Sequence, residues 1–327
     1  MSISRNYFGL DWLRTVSSVG IVMMHMLSND NNSYEISGVL FETFIPSFTD
    51  LVFLFMAISS FGMCCGYYEK VISGKVNWTD FYKKRYMKIL PFFSFLVFVD
   101  LLAGFSKASL IEAIADISLL FGLFPNNITV IGVGWFLGVV FAFYLIFPFF
   151  CVLIENRKRA WFVLIISVFI NYVFAPYFGI GRSNIVYCLC YFVAGGLIFL
   201  YRDEVRGINT YVLIAFAAIT ICLYYAFAAT TITVVLAVSS ILMLSLKINK
   251  ENKIVAFFSG ISMEIYICHM AVFRIAEKLG INTVLGKGLT QYIITVIFVI
   301  AFSVLLSVVY KTIVEQKLLR KFQRKVE

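Results

Sequence analysis

The sequence predicts an all-α fold: a polytopic transmembrane helical bundle of about ten spans, with both termini in the cytoplasm. Three observations lead there. The 327 residues are 61% hydrophobic and only 14% charged, with mean hydropathy +0.92. Apolar stretches as long as a bilayer core is thick recur along the chain. Lys and Arg gather in alternate connections between those stretches. A soluble domain of this length has no use for so much apolar surface, because a single core stops growing with chain length.

Windows of about 20 apolar residues place the spans at 8–28, 48–68, 87–105, 133–154, 160–178, 184–201, 210–228, 230–247, 254–274 and 289–314. The stretch 108–125, ASLIEAIADISLLFGLFP, carries Glu112 and Asp116 and reads as an amphipathic or re-entrant segment at the membrane surface. The first span is interrupted by Arg14 and has no small-x-small site at its end, so it reads as a retained helix and not a cleaved leader. No repeat and no long linker divides the chain, and residues 1–327 are expected to form one integral-membrane domain.

Orientation follows from the basic residues. With the N-terminus inside, cytoplasmic segments hold Arg5, the cluster from Lys70 to Lys88, Arg157 to Arg159, Arg202 and Arg206, Lys247 to Lys253, and the tail from Lys311 onwards. Outer loops and spans keep only Arg14, Lys107, Arg182, Arg274, Lys278 and Lys287. The net charge of +9 therefore reads as topology. Membrane lipid is the expected partner and nucleic acid is not. The seven Cys lie in or beside apolar runs with no CxxC pair, and only two His exist, so no metal is expected.

Arg14 and His25 are the residues of the first span least at home in hydrocarbon. Eleven positions at 100° each end roughly 20° past three full turns, so both side chains share one helix face, about 16 Å apart along the axis. Arg14 could instead snorkel to the inner interface or pair with Asp11 at i+3. A shared polar stripe that includes Ser18 favours a functional passage, since an ionisable group in a span is costly unless it is used or paired. The span at 254–274 runs in the same direction and carries His269 at a similar depth. Packing could bring the two imidazoles together.

The second cluster is FYKKRYMKILPFF, where Lys84, Arg85 and Lys88 fall at helical spacing beside a membrane entry. The positive-inside rule alone would supply these charges, and an anion site for phosphate groups is the alternative. Glu264 lies mid-span and needs a partner or a proton. Asp50 and Asp100 stand at outer helix ends, where either could orient an imidazole or mark the end of a helix. Trp135, Tyr144 and Tyr266 are interface aromatics or groove liners. Gly195 and Gly196 let helices approach closely. No P-loop, GxSxG or HExxH is present.

At these residues the chain resembles the membrane acyltransferase type 3 family. The likeness starts at GLDWLR with Arg14, ten residues and His25, and continues through LFMAISSFGM, with Ser60 where the family usually has Gly. Arg85-Tyr86-Met87-Lys88-Ile89-Leu90-Pro91 is similar to the family's RxxR–I–x–P element, with Lys88 for the second Arg. GWFLGVVFAFYLIFP, SMEIYICH with Tyr266 and His269, and VEQ at Glu315 complete the ordered set.

The resemblance implies an acyl-CoA donor, usually acetyl-CoA, reached from the cytoplasm, and a carbohydrate acceptor hydroxyl on the far face, in a surface polysaccharide or a lipid-linked glycan. It implies residence in the bacterial inner membrane. His25 would act as general base, with an acyl-histidine relay as the alternative, and His269 is its rival. Arg14 would serve the donor arm, and Arg85, Lys88 and Lys84 the nucleotide phosphates. Asp50, Trp135 and Tyr266 are the candidates for the acceptor side. A different class, a transporter or exporter of a glycolipid or small solute lined by Arg14 and His25, is the second reading; the internal symmetry common in transporters is not visible.

Overall fold

The computed structural model describes residues 7–119, 121–123, 132–227 and 229–315. Among them there is no β-strand, as expected. The helices run α1 Phe8–Ser28, a short turn α2 Ile45–Ser47, α3 Leu51–Ile72, α4 Trp78–Ala103, α5 Lys107–Ser118, α6 Trp135–Ile154 and α7 Arg157–Phe169. They continue with the turn α8 Ala175–Tyr177, then α9 Ile185–Leu200, α10 Arg202–Gly207, α11 Thr210–Ala226, α12 Thr231–Ser245, α13 Lys253–Lys278 and α14 Leu289–Tyr310.

Each expected span meets a helix. Five stretches are long and apolar enough to cross a membrane by themselves: Leu40–Ile72, Gly132–Ile154, Arg157–Tyr177, Lys253–Lys278 and Leu289–Ile313. The apolar helices α9, α11 and α12 are shorter, at 16, 17 and 15 residues. At 1.5 Å per residue they reach roughly 22–26 Å, less than a typical hydrocarbon core. The expected position of both termini falls on residues 1–6 and 316–327, outside the described residues.

Of the 108–125 segment, residues 108–118 lie in α5, closed at its start by reciprocal hydrogen bonds between Ser106 and Ser109 and ended by Leu119 at φ 57°, and residues 120, 124 and 125 lie outside the described residues. It is amphipathic, as its sequence suggests. Ala113 and Asp116 point inward, and Leu110, Ile111, Ile114 and Ile117 are exposed. Outward apolar side chains recur on other helices, among them Phe98 on α4, Phe149 on α6, Phe162 on α7 and Ile297 on α14. Such an apolar exterior suits hydrocarbon surroundings and is unusual for a surface facing water.

The chain packs as two units. One comprises Met1–Arg14 and Asp50–Asn252, the other Thr15–Thr49 and Lys253–Glu327. Helix α1 starts in the first and ends in the second.

In the first unit α3, α6 and α9 run parallel. Phe53 stacks on Tyr191 at 4.1 Å near the starts of α3 and α9, and Phe61 meets Phe199 further along both. Phe55 meets Phe136 at the start of α6, and Phe143 of α6 stacks on Phe192 at 4.0 Å. Helix α4 runs the other way, with Phe81 beside Phe147 and Tyr86 beside Phe141. The α3–α9 contact requires Gly195, because a Cβ there would overlap the Ala57 carbonyl, and one at Gly196 would overlap the Phe150 ring.

In the second unit α1 and α13 run parallel. Thr15 Oγ1 donates to the Val255 carbonyl at 3.1 Å, and further along both helices in the same direction His25 meets His269. Helix α14 is antiparallel to α13, with Cys268 Sγ near the Ser303 carbonyl and Lys311 beside Glu264. Val22, Met26, Ile265, Phe273 and Val299 form the apolar core. The segment after α1 is tied down by polar contacts. Asn282 Nδ2 donates to Asp30 Oδ1 at 2.8 Å, Asn32 Nδ2 to the Gly286 carbonyl at 2.9 Å, and the Tyr34 hydroxyl to Thr295 Oγ1 at 3.1 Å.

Replacing Gly195 by Ala should destabilise the protein by about 1–3 kcal/mol through overpacking, read as a fall in the thermal midpoint in detergent. Gly207→Ala, whose added Cβ meets open space, should change it far less.

Candidate functional site

The second unit builds an imidazole pair. His25 Nδ1 and His269 Nε2 are 2.9 Å apart, with ring centroids at 5.0 Å. His269 is fully buried and His25 partly exposed. The other nitrogen of His269, Nδ1, is 2.6 Å from the Tyr266 carbonyl oxygen. A carbonyl oxygen can only accept, so His269 Nδ1 carries the hydrogen and donates. In the neutral ring Nε2 is then the acceptor, and His25 Nδ1 must donate to it. The lone pair of a neutral His25 falls on Nε2. Two hydrogen bonds thus fix both tautomers from one end, as an orienting group fixes the base in a catalytic triad.

Tyr266 enters this chain through its backbone. Its ring is 3% exposed and lies 6.0 Å from the His269 ring. The aromatic face expected to meet an acceptor is therefore packed inward. Glu264, the costly mid-span carboxylate, is paired with Lys311 Nζ at 3.1 Å. Lys311 also donates to the Gly260 carbonyl.

In the first unit Arg14 pairs with Asp11 at 3.5 Å, each side chain about one-third exposed. A Cβ on Gly62 would lie 3.5 Å from Arg14 Nη2, so the absent side chain leaves that guanidinium its place against α3. Arg85 lies over three rings, Tyr67, Tyr144 and Phe81, at 5.0, 5.5 and 5.7 Å. Its Nε is buried and has no hydrogen-bond partner among the described residues. Tyr144 is within electrostatic reach of both Arg85 and Arg14. Lys84 and Lys88 are exposed on α4. Arg85 is thus the one cation of that run turned into an aromatic cage, and the two lysines face outward.

Asp50 and Trp135 lie at one end of this unit, at the starts of α3 and α6. The Tyr224 hydroxyl donates to Asp50 Oδ2 at 2.8 Å. Arg182 joins them, its guanidinium 5.0 Å from the Trp135 ring and 5.3 Å from Phe53, within electrostatic reach of Asp50. Sequence reading treated Arg182 only as one of the rare outer cations, and that rarity was the available signal. The Asp30–Asn282–Asn32 cluster was missed as well, although the run Asn29-Asp30-Asn31-Asn32 marks a polar tether directly after the histidine helix.

Among the described residues no three His, Cys, Asp or Glu side chains gather as metal ligands. No disulfide forms among the seven cysteines, and all but Cys65 and Cys222 are buried.

Fold and site define a multi-pass helical membrane protein with a directed pair of imidazoles, one buried and one partly exposed. The family model described as the acyltransferase domain, Acyl_transf_3, matches residues 7–310, and the chain belongs to this acyltransferase family. No curated protein and no solved structure matches it.

Lys311→Met leaves Glu264 without its cation and should cost about 3–5 kcal/mol, measured by thermal unfolding in detergent. Adding Glu264→Gln should recover most of that loss.

Proposed function

We propose that the protein is an integral-membrane O-acyltransferase that moves an acetyl group from acetyl-CoA to a hydroxyl of a cell-surface or lipid-linked polysaccharide, across the bacterial inner membrane. Family membership supports acyl transfer. The observation that carries the mechanism is the hydrogen-bonded series from the Tyr266 carbonyl through His269 to His25. The family match runs through both packing units, which supports treating them as one domain.

An acyl thioester supplies a carbonyl carbon already activated for attack. What remains is to remove the proton of the attacking hydroxyl. His25 Nε2 takes that proton as the acceptor oxygen bonds to the acyl carbon, and returns it to the departing thiolate sulfur. One C–S bond breaks, one C–O bond forms, and the imidazole ends neutral. A positioned imidazole contributes roughly 10²–10⁴-fold to such a step. His269 is the positioning residue: it holds His25 Nδ1–H, keeps the lone pair on Nε2 and shares the charge while His25 is protonated.

The donor's phosphates call for cations with unsatisfied donors. The caged Arg85, whose buried Nε has no partner among the described residues, suits that need, with Lys84 and Lys88 exposed nearby on the same helix. Arg14, in the same unit as Arg85 and paired with Asp11, is a further cation for the donor in this reading. Asp50 and Trp135 serve the acceptor in this reading, one by accepting from sugar hydroxyls and the other by covering an apolar sugar face. Tyr266 is assigned its carbonyl role in place of a ring contact.

His25→Ala should abolish acetylation while membrane abundance stays normal; near-normal transfer in that variant contradicts the assignment. His269→Ala should lower kcat about 10–100-fold and displace the pH–rate profile. His269→Gln offers an acceptor oxygen to His25 and should retain more activity than the Ala variant. Equal losses in the two variants, with no change in the pH profile, would reduce His269 to a packing residue.

A further inference from the structure

Helix α10, Arg202–Gly207, is held from two sides. Arg157 Nη2 donates to Glu204 at 2.6 Å, and Lys247 Nζ donates to the Arg206 carbonyl at 2.6 Å. These ties fix a helix that carries two more guanidinium groups. Arg202 lies 4.2 Å over the Phe199 ring, and Arg206 lies 4.7 Å over the Tyr7 ring. Both rings pack on Phe61 of α3, at 6.1 and 5.1 Å. Next to Phe61 is Gly62, the residue against which Arg14 rests. One turn on is Cys65, exposed, within electrostatic reach of Arg202, Arg14 and Arg206.

The positive-inside rule explains why cations occur in such a connection. It does not explain why they lie over aromatic rings around one strip of α3. Among the described residues neither Arg202 nor Arg206 pairs with a carboxylate, and the buried Nε of Arg206 has no hydrogen-bond partner. Like charges held close and half-buried repel each other, and a polyanion in contact with all of them relieves that cost. Beyond Gly62, which Arg14 adjoins, the strip is open. Gly62, Cys65 and Gly66 share one face of α3, and a Cβ on Gly66 would meet nothing within 4 Å.

We propose that Arg202 and Arg206, together with Arg14, hold the phosphates of the acyl-CoA donor, and that the Gly62–Cys65–Gly66 face of α3 is the surface along which its thiol arm lies. This rests on the acyl-CoA reading above and adds residues to it. Arg202 and Arg206 become donor-binding groups, and Cys65 a built-in reporter of donor occupancy.

The test uses the full chain in detergent with Cys222→Ser to remove the other exposed thiol, and follows alkylation of Cys65 by N-ethylmaleimide with mass spectrometry. Acetyl-CoA should slow the labelling of Cys65. Acetyl-pantetheine, which has the arm without any phosphate, should protect only at much higher concentration. In Arg202→Gln/Arg206→Gln the half-protecting concentration of acetyl-CoA should rise about tenfold or more, the expected loss of charge-assisted hydrogen bonds, and that of acetyl-pantetheine should stay within about twofold. Gly66→Leu, which meets open space, should fold and weaken protection by both ligands. Equal shifts for the two ligands, or none, overturn the proposal. Acetyl transfer in a protein whose Cys65 acetyl-CoA does not protect overturns it while the enzymatic reading stands. Absence of both protection and transfer removes both.

Discussion

A carbonyl oxygen accepts hydrogen bonds and never donates them, and the imidazole pair of this molecule depends on that asymmetry. Because the Tyr266 carbonyl faces His269 Nδ1, every proton in the series has one place to be. The parallel packing of α1 on α13 then delivers the ordered ring to His25. Full burial of His269 keeps water from competing for its nitrogens. Paired Glu264 and Lys311 let α13 cross beside α14 without an uncompensated carboxylate.

The first unit follows a different rule. Its parallel helices approach closely where glycine removes the side chain, and aromatic rings fill the remaining interfaces. Those rings also serve as beds for guanidinium groups at both ends. Arg182 lies against Trp135 and Phe53 at one end, with Arg85, Arg202 and Arg206 against aromatic rings towards the other. A planar cation on a ring keeps its N–H edges aimed outward, which a flexible ammonium cannot do.

Much of this was legible in the sequence. Periodicity placed Arg14 and His25 on one stripe, and the depth of the two histidines in parallel spans allowed their meeting. Most helix boundaries lie close to the apolar runs, but α4 starts at Trp78, nine residues before the span expected at 87–105, because its basic first turns are polar and still helical. What could not be read was orientation within a contact. Tyr266 stood out for its ring, and in the structure its carbonyl meets His269 while the ring is buried, a distinction that depends on the rotation of α13. Arg206 was absorbed by the positive-inside rule, since a charge count says nothing of whether a guanidinium lies in solvent or on Tyr7. The Asn-rich segment after α1 gave no sign of what it is tied to, because its partners Asn282 and Gly286 are 250 and 254 positions away.

That distance has a consequence for how the protein is made. His25 and His269 are separated by 244 positions, and α13 and α14 are the last described helices to leave the ribosome. Glu264 enters the membrane region before Lys311 has been synthesised, so α13 stays incompletely compensated until α14 follows. The imidazole pair therefore forms only after α13 has been made, when α3 to α12 of the first unit have already left the ribosome. A nascent chain stalled before α13 would carry His25 on α1 with no His269 to direct its tautomer.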